Sequence, residues 1–238
     1  HRAGYDYIIQ GMSGLMSVTG APDGQPQRVG VAVTDLFTGV YAATAILAAL
    51  HQRSQTGKGQ QIDMALLDVA TSVMANQAMN YLATGTAPGR IGNFHPNLAP
   101  YQVFACADGH IIIAVGNDGQ YGKICRLLRL DSLAAHPDFR TNADRVRNRD
   151  RIAHLLGEVT QTWTKADLLS ACEAHGVPAG PINDLAEVFT DPQIVHRGMV
   201  VDLEGVPSVR SPFVFSDAEL ALCRPSPVLG QDQDLIEG

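Results

Sequence analysis

The chain has 238 residues, 45% hydrophobic and 17% charged, which is enough apolar mass to bury a core in one or two globular domains. A net charge of -7 and no run of Lys or Arg argue against a nucleic-acid ligand, though a small basic pocket for one phosphorylated cofactor stays open. The longest apolar run, Ala42 to Leu50, is about half of what a membrane span needs, so no membrane contact is expected.

Tyr5 to Val18 reads as a helix with Ile8, Ile9, Met12, Leu15 and Met16 on its apolar positions, and "GAPDGQPQ" follows as a loop. "VAVT" has strand-like character and runs into Asp35; behind it Leu36 to Arg53 is a mostly apolar helix, expected to be buried on most faces. "QTGKGQ" ends that helix, and Met64 to Ala83 predicts a third. Pro88 to Pro100 is a long loop and a candidate boundary between a helical part and a mixed α+β part. "YQVFACADGHIIIAVG" predicts a β-hairpin turning at Asp108-Gly109. Helices are expected around Gln120 to Leu130 and Asp144 to Thr162. Thr164 should open another through Thr-Lys-Ala-Asp, and Thr190-Asp191-Pro192 a short one. Met199 to Leu203 and Ser208 to Phe215 read as strands.

Most candidate chemistry is weak when read locally. "GNDGQYG" follows a strand and opens a helix, but its GxxGxxG spacing lacks the close first glycine pair of a dinucleotide fingerprint. "TGKGQQID" lacks both the earlier Gly and the Ser or Thr of a phosphate loop. The eight histidines form no metal-ligand spacing, and only His95, in the Pro-rich loop, has a setting that suggests a site. No GxSxG elbow is present. Asp68 reads as a polar residue facing another helix or a partner chain. The four cysteines, Cys106, Cys125, Cys172 and Cys223, have no CxxC spacing and read as buried or idle thiols of a reducing compartment. Asp35 stands at a helix start, where backbone N–H groups favour a negative charge. Local chemistry alone prefers a capping role for it, and the same setting suits a carboxylate nucleophile.

Six blocks in order carry a resemblance over nearly the whole chain: "GYDYIIQGMSGLMSVTGAPDG", "VGVAVTDLFTGVYAATAILAALHQRSQTGKGQQIDMALLD", "HPNLAPYQVFACADGHIIIAVGNDGQ", "TNADRVRNRD", "GVPAGPINDLAEVF" and "RGMVVDLEG". The sequence resembles the class III coenzyme A transferases, the CaiB/BaiF family, and is closest in type to the succinyl-CoA:dicarboxylate members. The resemblance implies an α/β fold: part of a Rossmann-like large domain, mostly helical here, plus a smaller α+β domain. It divides the chain as 1–88, 89–200 and 201–238, the last returning as strands toward the large domain. It implies acyl-CoA and a small carboxylic acid as substrates, no tightly bound cofactor or metal, a homodimer that is interlocked in the family, and a cytoplasmic setting, or the mitochondrial matrix in a eukaryote.

By the same resemblance Asp35 is the catalytic aspartate. It would form a mixed anhydride with the donor acyl group and then a CoA thioester. Ala3, Gly4, Tyr5 and Asp6 border the CoA site. Gly92, Asn93 and His95 line the substrate site, in a segment with isolated glycines where the formyl-CoA branch has consecutive ones. The racemase branch of the family places a histidine where this sequence has Tyr5. A phenol with a reference pKa near 10 is a poor substitute for an imidazole near 6.5 as a proton carrier, so racemase activity is the disfavoured alternative. The family's first, Rossmann-like segment is not in this sequence, which also has no initiator Met. A third reading is therefore an inactive structural or oligomerising fragment, with weak CoA binding on its own.

Overall fold

The structure is a computed structural model that describes residues 4–222 and 224–235. Helix α1 (Asp6–Met12) stops at Ser13, and Gly14 takes a left-handed φ of 89° before α2 (Leu15–Val18), so the single helix expected over Tyr5 to Val18 is two. Residues 25–32 carry no regular structure. The strand expected at "VAVT" does not form, because the Val33 N–H closes on the Val31 carbonyl at 2.8 Å and bends the chain directly into a helix. That helix, α3 (Val33–Thr56), ends at Gly57, whose φ of 70° and N–H bond to the Arg53 carbonyl make a left-handed cap.

Helix α4 (Leu66–Ser72) and α5 (Ala75–Thr84) replace the single helix expected over Met64 to Ala83. The Ser72 hydroxyl bonds back to the Asp68 and Val69 carbonyls just before the break. Asp68 itself is exposed. Helices α1 and α4 pack against α3. Its only buried residue is Thr34, while Leu36, Phe37, Val40, Tyr41, Ile46, Leu47 and Leu50 lie open to solvent. The expectation of burial on most faces therefore fails within this chain: two short helices cannot cover a 24-residue rod. By length and composition α3 is also long and apolar enough to cross a membrane, which its longest unbroken apolar run understated.

The hairpin forms as expected. β1 (Tyr101–Cys106) and β2 (Gly109–Ala114) pair antiparallel, with Cys106 opposite Gly109, and the φ of 145° at Gly109 explains why glycine closes the turn. Ile111 and Ile113 alternate into the core from β2 at zero exposure. Helices α6 (Asp118–Leu127), α7 (Asp131–Ala135), α8 (Asn142–Arg147), α9 (Arg149–Thr160) and α10 (Lys165–His175) follow, and β3 (Ala179–Pro181) joins the sheet in the order β1-β2-β3. Their core gathers Phe104, Ile111, Ile113, Tyr121, Ile124, Phe139, Ile152, Leu156 and Leu168, with Trp163 packed at its edge.

Thr164 accepts from the Asp167 N–H as expected. The helix expected over Asp144 to Thr162 is split at Asn148, whose side-chain amide donates to the Asp138 and Asp144 carbonyls. Cys106, Cys125 and Cys172 are free and buried, and burial pushes the Cys172 thiol up to about 11. Cys223 lies outside the described residues.

The chain divides into two units after Gly180, whereas the sequence reading drew its divisions at residues 88 and 200. The second unit opens with α11 (Leu185–Thr190), capped reciprocally by Asp184 and Glu187. Asp191 then caps α12 (Pro192–His196) by accepting from the Gln193 and Ile194 N–H groups. A hairpin of β4 (Val200–Leu203) and β5 (Val206–Val209) completes it, the second strand starting earlier and ending sooner than Ser208 to Phe215.

Candidate functional site

The start of α3 is built by a carboxylate 28 residues upstream in sequence. Asp6, in the first turn of α1, accepts from the Thr34 N–H at 2.8 Å and the Thr34 hydroxyl at 2.6 Å through Oδ1. Its Oδ2 accepts from the Gln10 Nε2 at 2.7 Å. Burial raises the Asp6 pKa. Hydrogen bonds from the Thr34 and Gln10 side chains and from the Thr34 and Asp35 backbone N–H groups outweigh it, so the carboxyl sits below its ordinary value. Asp6 thus does for α3 what an N-cap residue does, reaching in from a neighbouring helix. The residue at the N-cap position, Ala32, makes no side-chain cap.

This arrangement answers the question Asp35 raised. It is the third residue of α3, lies exposed, and takes no part in capping. Among the described residues no hydrogen bond holds its carboxylate. Thr34, completely buried beside it, anchors the turn and accepts from the Thr38 hydroxyl through its carbonyl. Tyr5 immediately precedes α1 and is 74% exposed, so its phenol stands free at the same end as Asp6. Gly4 is exposed as well. Ala3 lies outside the described residues.

Gly92, Asn93 and His95 gather elsewhere along the same unit. The Gly92 N–H donates to the Gly20 carbonyl at 3.0 Å, and Arg90 grips the 20–25 loop through the Ala21, Pro22 and Gly24 carbonyls. Val18, Thr19, Gly20, Ala21, Gln27, Gly92 and Asn93 enclose an open cavity of about 480 Å³. His95 is not among its walls. Its ring leans on Tyr101 at 4.9 Å, and its Nδ1 accepts from the Asn97 N–H at 3.0 Å, which places the proton of the neutral ring on Nε2. Burial lowers the His95 pKa, and the nearby Arg149 guanidinium lowers it further. Arg149 donates to the His95 and Pro96 carbonyls and holds this loop to α9.

The described candidates therefore fall into two groups, Gly4, Tyr5 and Asp6 with Asp35, and Gly92 with Asn93, while His95 stands apart against Tyr101. Residues 27–31, which carry no regular structure, lead from the cavity wall to the α3 start. Gln10 fastens the middle of this stretch, accepting from the Val29 N–H at 2.9 Å. Sequence reading missed Gln10 and Thr34, and also Arg145, a fully buried guanidinium bonded to the Ala99, Phe139 and Arg140 carbonyls and to Asp118. Gln10 lies four residues after Asp6, on the same face of α1, and that Asp-to-Gln spacing was the one available signal for it. Among the described residues no cluster of three His, Cys, Asp or Glu side chains is spaced to hold a metal.

Comparison with known proteins adds a family to this geometry. The family model described as CoA-transferase family III matches residues 1–233. The succinate–glutarate CoA-transferase of Agrobacterium fabrum is 52% identical over 236 residues, covering 97% of this chain and 59% of that protein. The succinyl-CoA:glutarate CoA-transferase of Homo sapiens is 40% identical over 235 residues, covering 97% of this chain and 54% of that protein. The crystal structure of a CaiB/BaiF family protein from Brucella suis superposes with a TM-score of 0.84 at 54% identity, covering 99% of this chain and 62% of that one. The chain thus spans between 54% and 62% of the length of these relatives.

Proposed function

Since this chain belongs to CoA-transferase family III, we propose that its parent protein moves coenzyme A from an acyl-CoA donor to a carboxylic acid acceptor, with Asp35 as the nucleophile. The observation that carries this reading is the state of Asp35: an exposed carboxylate, free of hydrogen bonds among the described residues, on a helix start that Asp6 holds in place. A carboxylate oxygen with no donor on it keeps its lone pairs for attack.

In the proposed cycle Asp35 adds to the thioester carbonyl, the C–S bond breaks, and a mixed anhydride forms as CoA leaves as thiolate. The thiolate then attacks the aspartyl carbonyl and displaces the donor acid, leaving CoA as a thioester on Asp35. An acceptor carboxylate attacks that carbonyl, forms a second anhydride and frees the thiolate once more. Attack of the thiolate on the acceptor's carbonyl gives the new acyl-CoA and restores Asp35. No net proton is needed. The activated acyl group survives only where water is excluded. Names of similar proteins, succinate–glutarate and succinyl-CoA:glutarate CoA-transferase, favour a succinyl-CoA donor and a dicarboxylic acid. Gly4, Tyr5 and Asp6 would border the bound CoA, and Gly92 and Asn93 the acid, with His95 behind them.

The test is to incubate the full-length parent with succinyl-CoA and a panel of carboxylic acids and follow exchange by mass spectrometry. Acyl exchange and a CoA adduct on the Asp35 peptide are expected, and both should vanish in Asp35→Asn. Full activity in that variant would overturn the mechanism. The exposed apolar face of α3 favours a second reading for the chain by itself: inactivity and weak CoA binding until further polypeptide, a second copy included, covers that face. Calorimetry showing sub-millimolar CoA affinity for the isolated chain would contradict it. Three buried free thiols fit the proposed setting in cytoplasm or mitochondrial matrix.

A further inference from the structure

Among the described residues Gln10 is the largest uncharged polar side chain that is buried to zero exposure, and both polar atoms of its amide are engaged. Nε2 donates to Asp6 Oδ2 at 2.7 Å and, at a longer 3.5 Å, lies toward the Val31 carbonyl. Oε1 accepts from the Val29 N–H at 2.9 Å. The reverse orientation would set Oε1 against a carboxylate and Nε2 against an N–H donor, so the amide has only one sense. One side chain of α1 therefore holds two things at once: the carboxylate that binds the first turn of α3, and the segment that leads into it.

We propose that Gln10 is a positioning residue for Asp35, setting through Asp6 and the Val29–Val31 segment the place of the α3 start on which Asp35 stands. This rests on the reading of Asp35 as nucleophile. Nothing holds the Asp35 carboxylate directly among the described residues, so its direction comes from the backbone of the first turn. That turn is fixed from outside the helix, by Thr34 to Asp6 and by Asp6 to Gln10. Attack on a thioester carbonyl requires an approach of about 3 to 3.5 Å, and a misplacement of about 1 Å can cost 100-fold in rate. A glutamine that merely fills the core would change stability and leave the rate of attack alone.

The experiment uses the full-length parent with two variants. Gln10→Leu keeps the bulk and removes every hydrogen bond of the amide. Gln10→Glu keeps the shape and the acceptor for the Val29 N–H, and turns a carboxylate toward Asp6. Steady-state kcat and KM for succinyl-CoA are measured, together with the single-turnover rate of CoA attachment to Asp35. Both variants should lose about 10- to 100-fold in kcat and in attachment rate, with KM held within about threefold. Combining Gln10→Leu with Asp6→Asn should cost less than the product of the separate losses, because both act through one helix start.

A folded variant with kcat within about twofold of the parent, or a raised KM with kcat unchanged, would overturn the proposal. If Gln10→Leu fails to fold, the isosteric Gln10→Glu decides the matter by the same criteria. Asp35→Asn run alongside separates the two levels. An active Asp35→Asn removes the nucleophile reading. An inactive Asp35→Asn beside fully active Gln10 variants removes only the role given to Gln10.

Discussion

Replacing Arg145 by Met tests how the loop that carries Gly92, Asn93 and His95 is fastened to the core. The Arg145 guanidinium is fully buried, donating to the Ala99 carbonyl at 2.7 Å, Phe139 at 3.0 Å, Arg140 at 3.4 Å and Asp118 Oδ1 at 2.7 Å, and it lies 4.3 Å from the Tyr121 ring. Methionine can fill the space of the stem and offers no donor. Arg140 is exposed and the Asp118 side chain is 63% exposed, so water can replace the bonds to these two. Ala99 and Phe139 are buried, and their carbonyls would be left bare at about 1 to 3 kcal/mol each. Loss of the ring contact adds on the order of 1 kcal/mol.

Against this stands the desolvation of the guanidinium, which the variant no longer suffers and which can return roughly 1 to 4 kcal/mol. The expected balance is a loss of about 3 kcal/mol, or roughly 6 to 12 °C in Tm for a unit of this size. Urea unfolding followed by Trp163, the single tryptophan and part of the same core edge, gives the measurement. A loss under about 1 kcal/mol would show that desolvation cancels the bonds and that Arg145 does not fasten the loop.

Asp6→Asn should destabilise the chain at neutral pH. Because the folded Asp6 pKa is depressed below 3.8, its contribution is full above that value and fades as pH falls through the folded pKa. The stability gap between parent and variant, measured by urea unfolding across pH, should therefore close in acid; a gap constant down to the lowest pH would contradict the bonding of Asp6. Gly20→Ala should cost about 1 to 3 kcal/mol. Its φ is 122°, and the new Cβ would stand 3.0 Å from the Gln25 carbonyl oxygen and 3.2 Å from Arg90 Cδ; a thermal melt that does not move would rule this strain out. His95 should titrate below 6.5 by NMR, since burial and Arg149 both oppose its protonation; a midpoint above 6.5 would refute that account.

What the sequence disclosed was written in neighbouring residues. Asp108-Gly109 placed the hairpin because a left-handed φ at a glycine is a local demand, and Asp191-Pro192 placed α12 because cap and proline are adjacent. The breaks at Gly14, after Ser72 and at Asn148 went unseen, since apolar periodicity runs on through them and only the hydrogen bonds of each turn interrupt it. Gln10 and Arg145 were missed for a different reason. Their backbone partners lie up to 21 and 46 residues away, and although Asp6 one turn from Gln10 hints at a bond, no local pattern marks a side chain that satisfies distant backbone. The apolar residues of α3 did announce a need for burial. Periodicity cannot say whether the covering surface belongs to the same stretch of chain.

Two carboxylates stand at one helix start, and their surroundings assign them different chemistry. Each Asp6 oxygen already accepts a hydrogen bond, from Thr34 on one side and Gln10 on the other. Attack by Asp6 would first have to strip those donors, exposing buried N–H and O–H groups at about 1 to 3 kcal/mol apiece. Among the described residues Asp35 has no such bonds to break, and it is open to solvent. A cap and a nucleophile make opposite demands on lone pairs, so one residue serves both poorly. The capping expected of Asp35 is carried by Asp6 from α1, which leaves the Asp35 oxygens available for the attack proposed for them.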